Sequence, residues 1–240
     1  GGEYGIRGFI DAYDAETGER RWRMYTIPGP GEPGNETWEG DSWKIGGSPA
    51  WMTGSYDPEL NRLYWGVGNP GPDWNGEVRK GDNLYSDCIL AINPDTGKID
   101  WHFQFTPHDV HDWDACQIFV LVDREYQGKM RKLVVSANRN GFYYVLDRET
   151  GEFLNATEFA KQTWAKKIDK AGRPIRIPNR LPSKEGTLVY PDVSGAANWH
   201  SPTYSPLTGF YYQMAFDGAS TYYLDEDPEY LVGKPFLGGM

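Results

Sequence analysis

From Thr106 to Asp114 the chain reads TPHDVHDWD, which places Asp109, Asp112 and Asp114 beside His108 and His111 within seven residues. Carboxylates crowded this closely repel unless a cation or solvent relieves them. The two imidazoles invite a zinc reading, but zinc needs further ligands in fixed geometry, and no other Cys or His stands at a suitable spacing. An oxygen-rich set suits a hard cation better. Asp112 and Asp114 flank Trp113. If this segment is a strand, the two carboxylates face the same side.

Three other stretches set polar groups among turn glycines. Residues 1–8 read GGEYGIRG, and Glu3 among four glycines can approach a ligand closely, although on its own it reads first as a solvated turn residue. Residues 37–51 carry Trp38, Trp43 and Trp51 around Gly46-Gly47, either as a flat stacking floor or as ordinary core. Residues 66–72 read GVGNPGP, where Asn69 before Pro70 makes a good turn and also offers a carbonyl to a hard cation.

These residues must be held by a framework, and composition restricts it. The 240 residues include 24 basic and 34 acidic side chains, a net charge of -10. Such an acidic chain is a poor nucleic-acid binder. No apolar run approaches the roughly 20 residues of a membrane-spanning helix. The 10 Trp and 16 Tyr argue against disorder, and 29 Gly with 17 Pro point to a turn-rich β protein. Cys88 and Cys116 are too few for a disulfide framework and read as free, buried residues. The chain begins at Gly1 with a stretch that looks internal, so we expect a fragment, and the lack of a leader then says nothing about compartment.

The framework itself repeats. Residues 12–22 follow the pattern A-x-D-x-x-T-G-x-x-x-W, residues 91–101 repeat it with Asn93 for Asp, residues 145–153 lack the Trp, and residues 204–209 are a weaker copy. Each copy predicts a strand, an Asx-led turn closed by Gly and a second strand. Further strand pairs are predicted at 48–56 with 62–67 and at 132–136 with 142–146. Hairpins in series, at a period near 50 residues with insertions, predict a β-propeller over a chance sandwich. Trp22 and Trp101 recur at one offset from their Thr-Gly turns, which suggests docking between blades. Residues 28–42, 70–81 and 161–191 read as loops or insertions.

Taken together, GGEYGIRG, TWEGDSWKIGG followed by Trp51, YWGVGNP, TPHDVHDWD and SANRNGFYYVLDR resemble the quinoprotein alcohol dehydrogenases, the methanol/ethanol dehydrogenase family that uses pyrroloquinoline quinone (PQQ). The resemblance runs from residue 1 to about 220, in matching order and approximate spacing. It implies an all-β, eight-bladed propeller, of which 1–240 would be a single partial domain of about four blades, incomplete at both ends.

The family's roles then fall on particular positions. Glu3 and Asn69 match metal ligands, Trp51 the ring beneath the quinone, Asp112 the catalytic base and metal ligand, and Arg139 the arginine on the quinone oxygens. Asp114 matches the extra aspartate of lanthanide-using members. Glu3, Asp112 and Asp114 bring three negative charges, which favours a lanthanide over Ca²⁺.

The implied reaction is metal-assisted oxidation of a small primary alcohol by hydride transfer to PQQ, with electrons passed to a cytochrome c. The implied setting is the periplasm, with a homodimer as one assembly. Pro49-Ala50 replaces the polar pair that often precedes the floor Trp, and the family's adjacent-cysteine disulfide is missing from this stretch. The alternatives are a non-catalytic scaffold with the same Trp-docking repeats, and a quinoprotein acting on another alcohol or a sugar.

Overall fold

The computed structural model describes residues 2–240. Gly1, the first residue of the GGEYGIRG stretch, lies outside the described residues. Strands β1 (Phe9–Tyr13) and β2 (Arg20–Tyr25) form an antiparallel pair. β3 (Ser55–Asp57), β4 (Arg62–Gly66), β5 (Cys88–Ile92) and β6 (Ile99–Gln104) form a four-stranded antiparallel sheet in chain order. β7 (Val120–Tyr126), β8 (Lys129–Ala137), β9 (Phe142–Asp147) and β10 (Phe153–Glu158) form a second. Six short strands follow: β11 (Ala165–Ile168), β12 (Pro174–Arg176), β13 (Thr187–Val189), β14 (Thr203–Ser205), β15 (Phe210–Tyr212) and β16 (Ser220–Tyr222). They pair β11 with β12, β13 with β16 and β14 with β15.

Two complete four-stranded blades and smaller sheets thus make up a partial propeller. Two expectations are corrected. Residues 48–54 carry no strand, because they run as the glycine- and proline-bounded lining of the site. Residues 161–191 are not one long loop, since β11, β12 and β13 organise them.

The repeats explain how blades meet. In three copies the leading Asx oxygen accepts two backbone N–H groups. Asp14 Oδ1 takes those of Glu16 (3.0 Å) and Thr17 (2.9 Å), Asn93 Oδ1 those of Asp95 and Thr96, and Asp147 Oδ1 those of Glu149 and Thr150. The Trp of one copy then docks on the turn of the next. Trp22 Nε1 donates to Pro94 O at 2.8 Å with its ring over Gly97, and Trp101 Nε1 donates to Arg148 O at 3.2 Å with its ring over Gly151. The third copy has no Trp, and Phe153 instead stacks on Phe103 at 5.7 Å. A buried ion pair, Arg148 Nε to Asp57 at 2.6 Å, ties the same two blades.

Glycine is required at the docking turn for two separable reasons. Gly97 has φ +69°, and a Cβ there would stand 2.6 Å from the Trp22 ring; Gly18 has φ +73° but open space around it. We expect Gly18→Ala to cost about 1 kcal/mol and Gly97→Ala about 2–4 kcal/mol, the excess reporting lost docking. Urea unfolding of the full protein checks this, and equal costs would refute blade docking through Gly97.

The main core lies between the two complete blades. Tyr64, Ile89, Phe105, Phe142 and Tyr144 pack there with Trp113 and Trp164. All five residues of β5 are buried, as in a strand covered on both faces. Cys88 and Cys116 are free and buried.

Candidate active site

The glycine-flanked stretches converge through backbone pairing. Gly47 bridges both Arg7 and Pro70. Gly8 N–H donates to Gly47 O, Ser48 N–H to Asn69 O, Gly71 N–H to Gly46 O and Gly68 N–H to Pro49 O, all at 2.8–2.9 Å. Close approach explains the glycines: a Cβ on Gly66 would lie 1.8 Å from Ala115 O, and one on Gly68 would lie 2.4 Å from Asp114 Oδ1. Segments 2–8, 46–51 and 66–71 are therefore one layered wall, with residues 112–115 against it.

The crowded segment 106–114 divides into two sets. Asp109 is structural: its carboxylate accepts the backbone N–H of His111 (3.0 Å) and of Trp113 (2.8 Å) and so winds the loop. His111 stacks on Trp113 at 4.3 Å and bonds Arg180 O through Nε2, while His108 Nδ1 contacts Gly81 O. His111 Nδ1 also lies 3.7 Å from Asp109 Oδ1, so this imidazole sides with the structural aspartate and not with Asp112 and Asp114. Trp113 is fully buried and donates to Asp192 O. The segment is not a strand, because Asp112 adopts φ +62°, so the expectation of a shared strand face is corrected. Asp112 and Asp114 nevertheless meet, since both bind Arg139.

Arg139 comes from the turn joining β8 to β9. Its Nη1 donates to Asp114, and its Nη2 to Val193 O and, at 3.4 Å, to Asp112. Gly195 lets the chain pass against it, where a Cβ would stand 2.5 Å from the Arg139 Cβ. Asp114 Oδ1 also accepts the Asn69 backbone N–H at 2.7 Å. The Asp114 side chain is 7% exposed, whereas that of Asp112 is 24% exposed.

Burial, reinforced by the Asp114 carboxylate, pushes Asp112 well above the usual carboxylate range. Burial also raises Asp114, against the pull of Arg139 and of hydrogen bonds from Asn69 and the Trp51 side chain. Burial disfavours the charge on Arg139, but Asp114 and Asp112 outweigh it and hold the guanidinium protonated.

The three tryptophans of 37–51 do not form one floor. Trp38 is buried with Nε1 on Leu84 O, Trp43 lies near Arg7, and only Trp51 is exposed, at 45%. Glu3 sits in a short 3-10 turn (Gly2–Tyr4) whose Gly2 packs on Pro49 and Gly47. Asp73, which sequence reasoning passed over, is 4% exposed and accepts Asn69 Nδ2 at 2.9 Å. Burial raises its pKa to about 8 against that hydrogen bond, with Glu3 and Asp114 adding repulsion. A signal existed in the sequence, since Asp73 lies four residues after Asn69 in the same turn.

Among the described residues no three His, Cys, Asp or Glu side chains form a ready-made metal cage. Arg139 stands between the carboxylates instead. The donor chemistry still fits a hard cation: Asn69, Asp73, Asp112 and Asp114 are oxygen donors, and burial first, then neighbouring carboxylates, holds all three acids above their ordinary pKa. A planar ligand has matching features in the exposed Trp51 ring and in Arg139 Nε, a buried donor with no partner among the described residues.

A partial propeller with a buried aspartate–arginine cluster at a blade-to-blade wall is the architecture of a propeller dehydrogenase. Residues 3–162 match the family described as PQQ: glucose/ethanol/alcohol dehydrogenase, beta-propeller domain, and the chain belongs to that family. It is 45% identical over 251 aligned residues to the quinohemoprotein alcohol dehydrogenase ADH IIB of Pseudomonas putida, covering 98% of this chain and 36% of that protein. It is 38% identical to the lanthanide-dependent methanol dehydrogenase of Methylacidiphilum fumariolicum, covering 99% of this chain and 42% of that protein. The solved structure of a europium-containing methanol dehydrogenase superposes with a TM-score of 0.93 at 38% identity, over 100% of this chain and 45% of that one. The chain thus spans well under half the length of these relatives.

Proposed function

We propose that the full protein containing this chain oxidises a small primary alcohol to its aldehyde, with PQQ as oxidant, a hard cation beside it and a cytochrome c as final acceptor. The observation that carries this reading is the cluster in which Arg139 joins an accessible Asp112 to a sealed Asp114, beside the exposed ring of Trp51. Family membership supports the cofactor. The names of relatives support both a haem-linked and a lanthanide-dependent chemistry.

PQQ, when bound, supplies the electron sink that accepts hydride, and the cation supplies Lewis acidity. The chain's own residues do the rest. Trp51 offers a flat face for the cofactor. Glu3, Asn69, Asp112 and Asp114 would hold the cation, and the negative charge of three carboxylates would favour a trivalent ion over Ca²⁺. Asp112 would take the alcohol's hydroxyl proton at Oδ, in the ionised form that a bound cation's charge would favour. Arg139 is a preorganised positive charge beside the reacting oxygen. Asp114 keeps that guanidinium in place.

Among the described residues no helix is long and apolar enough to cross a membrane. The periplasm is the compartment proposed, on the precedent of the family. Reconstitution of the full protein with PQQ and either La³⁺ or Ca²⁺, followed by dye reduction, tests the reading. We expect methanol- or ethanol-dependent reduction, faster with La³⁺. No alcohol-dependent reduction with either ion would overturn it. The two alcohols differ by one methylene, worth about 1–3 kcal/mol in a pocket, so this assay also ranks them.

A further inference from the structure

We infer that Asp73 is a positioning residue of the cation site: it takes the Asn69 Nδ2 hydrogen and turns the Asn69 carbonyl oxygen to the cation. The inference rests on the metal-assisted reading proposed above.

Three observations on Asp73 and Asn69 carry it. Both side chains are buried, each 4% exposed. Asn69 Nδ2 faces two acceptors, Asp73 Oδ1 at 2.9 Å and Pro70 O at 3.4 Å, so the amide nitrogen is committed to this side and the amide oxygen faces away from it. The Asn69 backbone N–H is fixed separately on Asp114 Oδ1 at 2.7 Å, so two aspartates clamp one asparagine, Asp114 by its main chain and Asp73 by its side chain. Outer partners that orient a metal ligand in this way tune affinity.

The neighbouring Arg79 acts on Asp73 only through space and makes no direct pair with it. The Arg79 guanidinium is spent on Pro72 O, Asp109 O and Asn83 Oδ1. Among the described residues Asp73 makes no ion pair. A buried carboxylate bonded to a single amide is costly unless a cation shares its surroundings.

The test is titration of the metal-free, PQQ-loaded full protein with Eu³⁺, read by luminescence intensity and lifetime, with Ca²⁺ affinity read by competition. Asp73→Ala should weaken Eu³⁺ about tenfold or more with the circular dichroism unchanged. Asp73→Asn keeps an acceptor for Asn69 Nδ2, so it should retain most of the Eu³⁺ affinity that Asp73→Ala loses. An Asp73→Ala protein that binds Eu³⁺ within about twofold of the parent overturns the inference while the cation-site reading stands. If Asp73→Ala fails to fold, an Asp73→Asn protein that loses Eu³⁺ affinity about tenfold or more overturns it equally. A parent protein that binds neither ion overturns the cation-site reading itself, and the inference with it.

Discussion

Asp112→Asn in the full protein is expected to lower alcohol oxidation by about 100- to 10,000-fold, the range for loss of a general base, while PQQ still binds. The structure decides which of the paired carboxylates should act. Both contact Arg139, but the Asp114 side chain is 7% exposed and committed to the Asn69 N–H, whereas that of Asp112 is 24% exposed and makes only the longer 3.4 Å contact. A substrate hydroxyl can reach Asp112 and not Asp114. Asn is also a fair substitute for the backbone, since Asp112 sits at φ +62° and asparagine tolerates that region as aspartate does. Loss of activity would therefore report the lost carboxylate, as base or as cation ligand, and not a misfolded loop. Single-turnover oxidation of ethanol with PQQ absorbance as the readout checks this. Near-normal turnover in Asp112→Asn would remove the base assignment.

Asp114→Ala should act on the cation more than on the proton. We expect lanthanide affinity to fall by at least the roughly 10- to 100-fold seen when the support of a metal site is removed, with Ca²⁺ affinity falling less. The reason is charge: Asp114 contributes one of the carboxylates that a trivalent ion would need, and a divalent ion tolerates its loss better.

The structure adds a second consequence. Asp114 holds Arg139 and caps the Asn69 N–H, and leaving that buried donor unsatisfied costs about 1–3 kcal/mol. Asp114→Asn, which retains an acceptor, should lose less stability than Asp114→Ala and still lose lanthanide preference. Metal titrations alongside thermal unfolding separate the two effects. Equal losses of La³⁺ and Ca²⁺ binding in both variants would refute the charge explanation.

The sequence by itself determined the repeating parts of this protein. The Asx-led Thr-Gly turns, the strands on either side and the docking of Trp22 and Trp101 depend on local chemistry: an Asx oxygen over its own backbone, a glycine at positive φ, an aromatic ring at a constant offset. The composition of residues 106–114 likewise marked a carboxylate cluster.

Tertiary structure alone decided how that cluster divides. Asp109 winds the loop with His111 beside it, Asp114 is sealed, Asp112 stays accessible, and His108 turns to Gly81 O. It also decided which of three tryptophans is exposed, and it brought Asp73 to the amide of Asn69. These outcomes depend on Arg139, which lies 25 residues beyond Asp114 in the chain, and on backbone pairing of Gly47 with Arg7 and Pro70. Sequence spacing records neighbours along one strand or turn. Burial and ion pairing depend on which distant segment closes over a side chain, and that is set only when the blades pack.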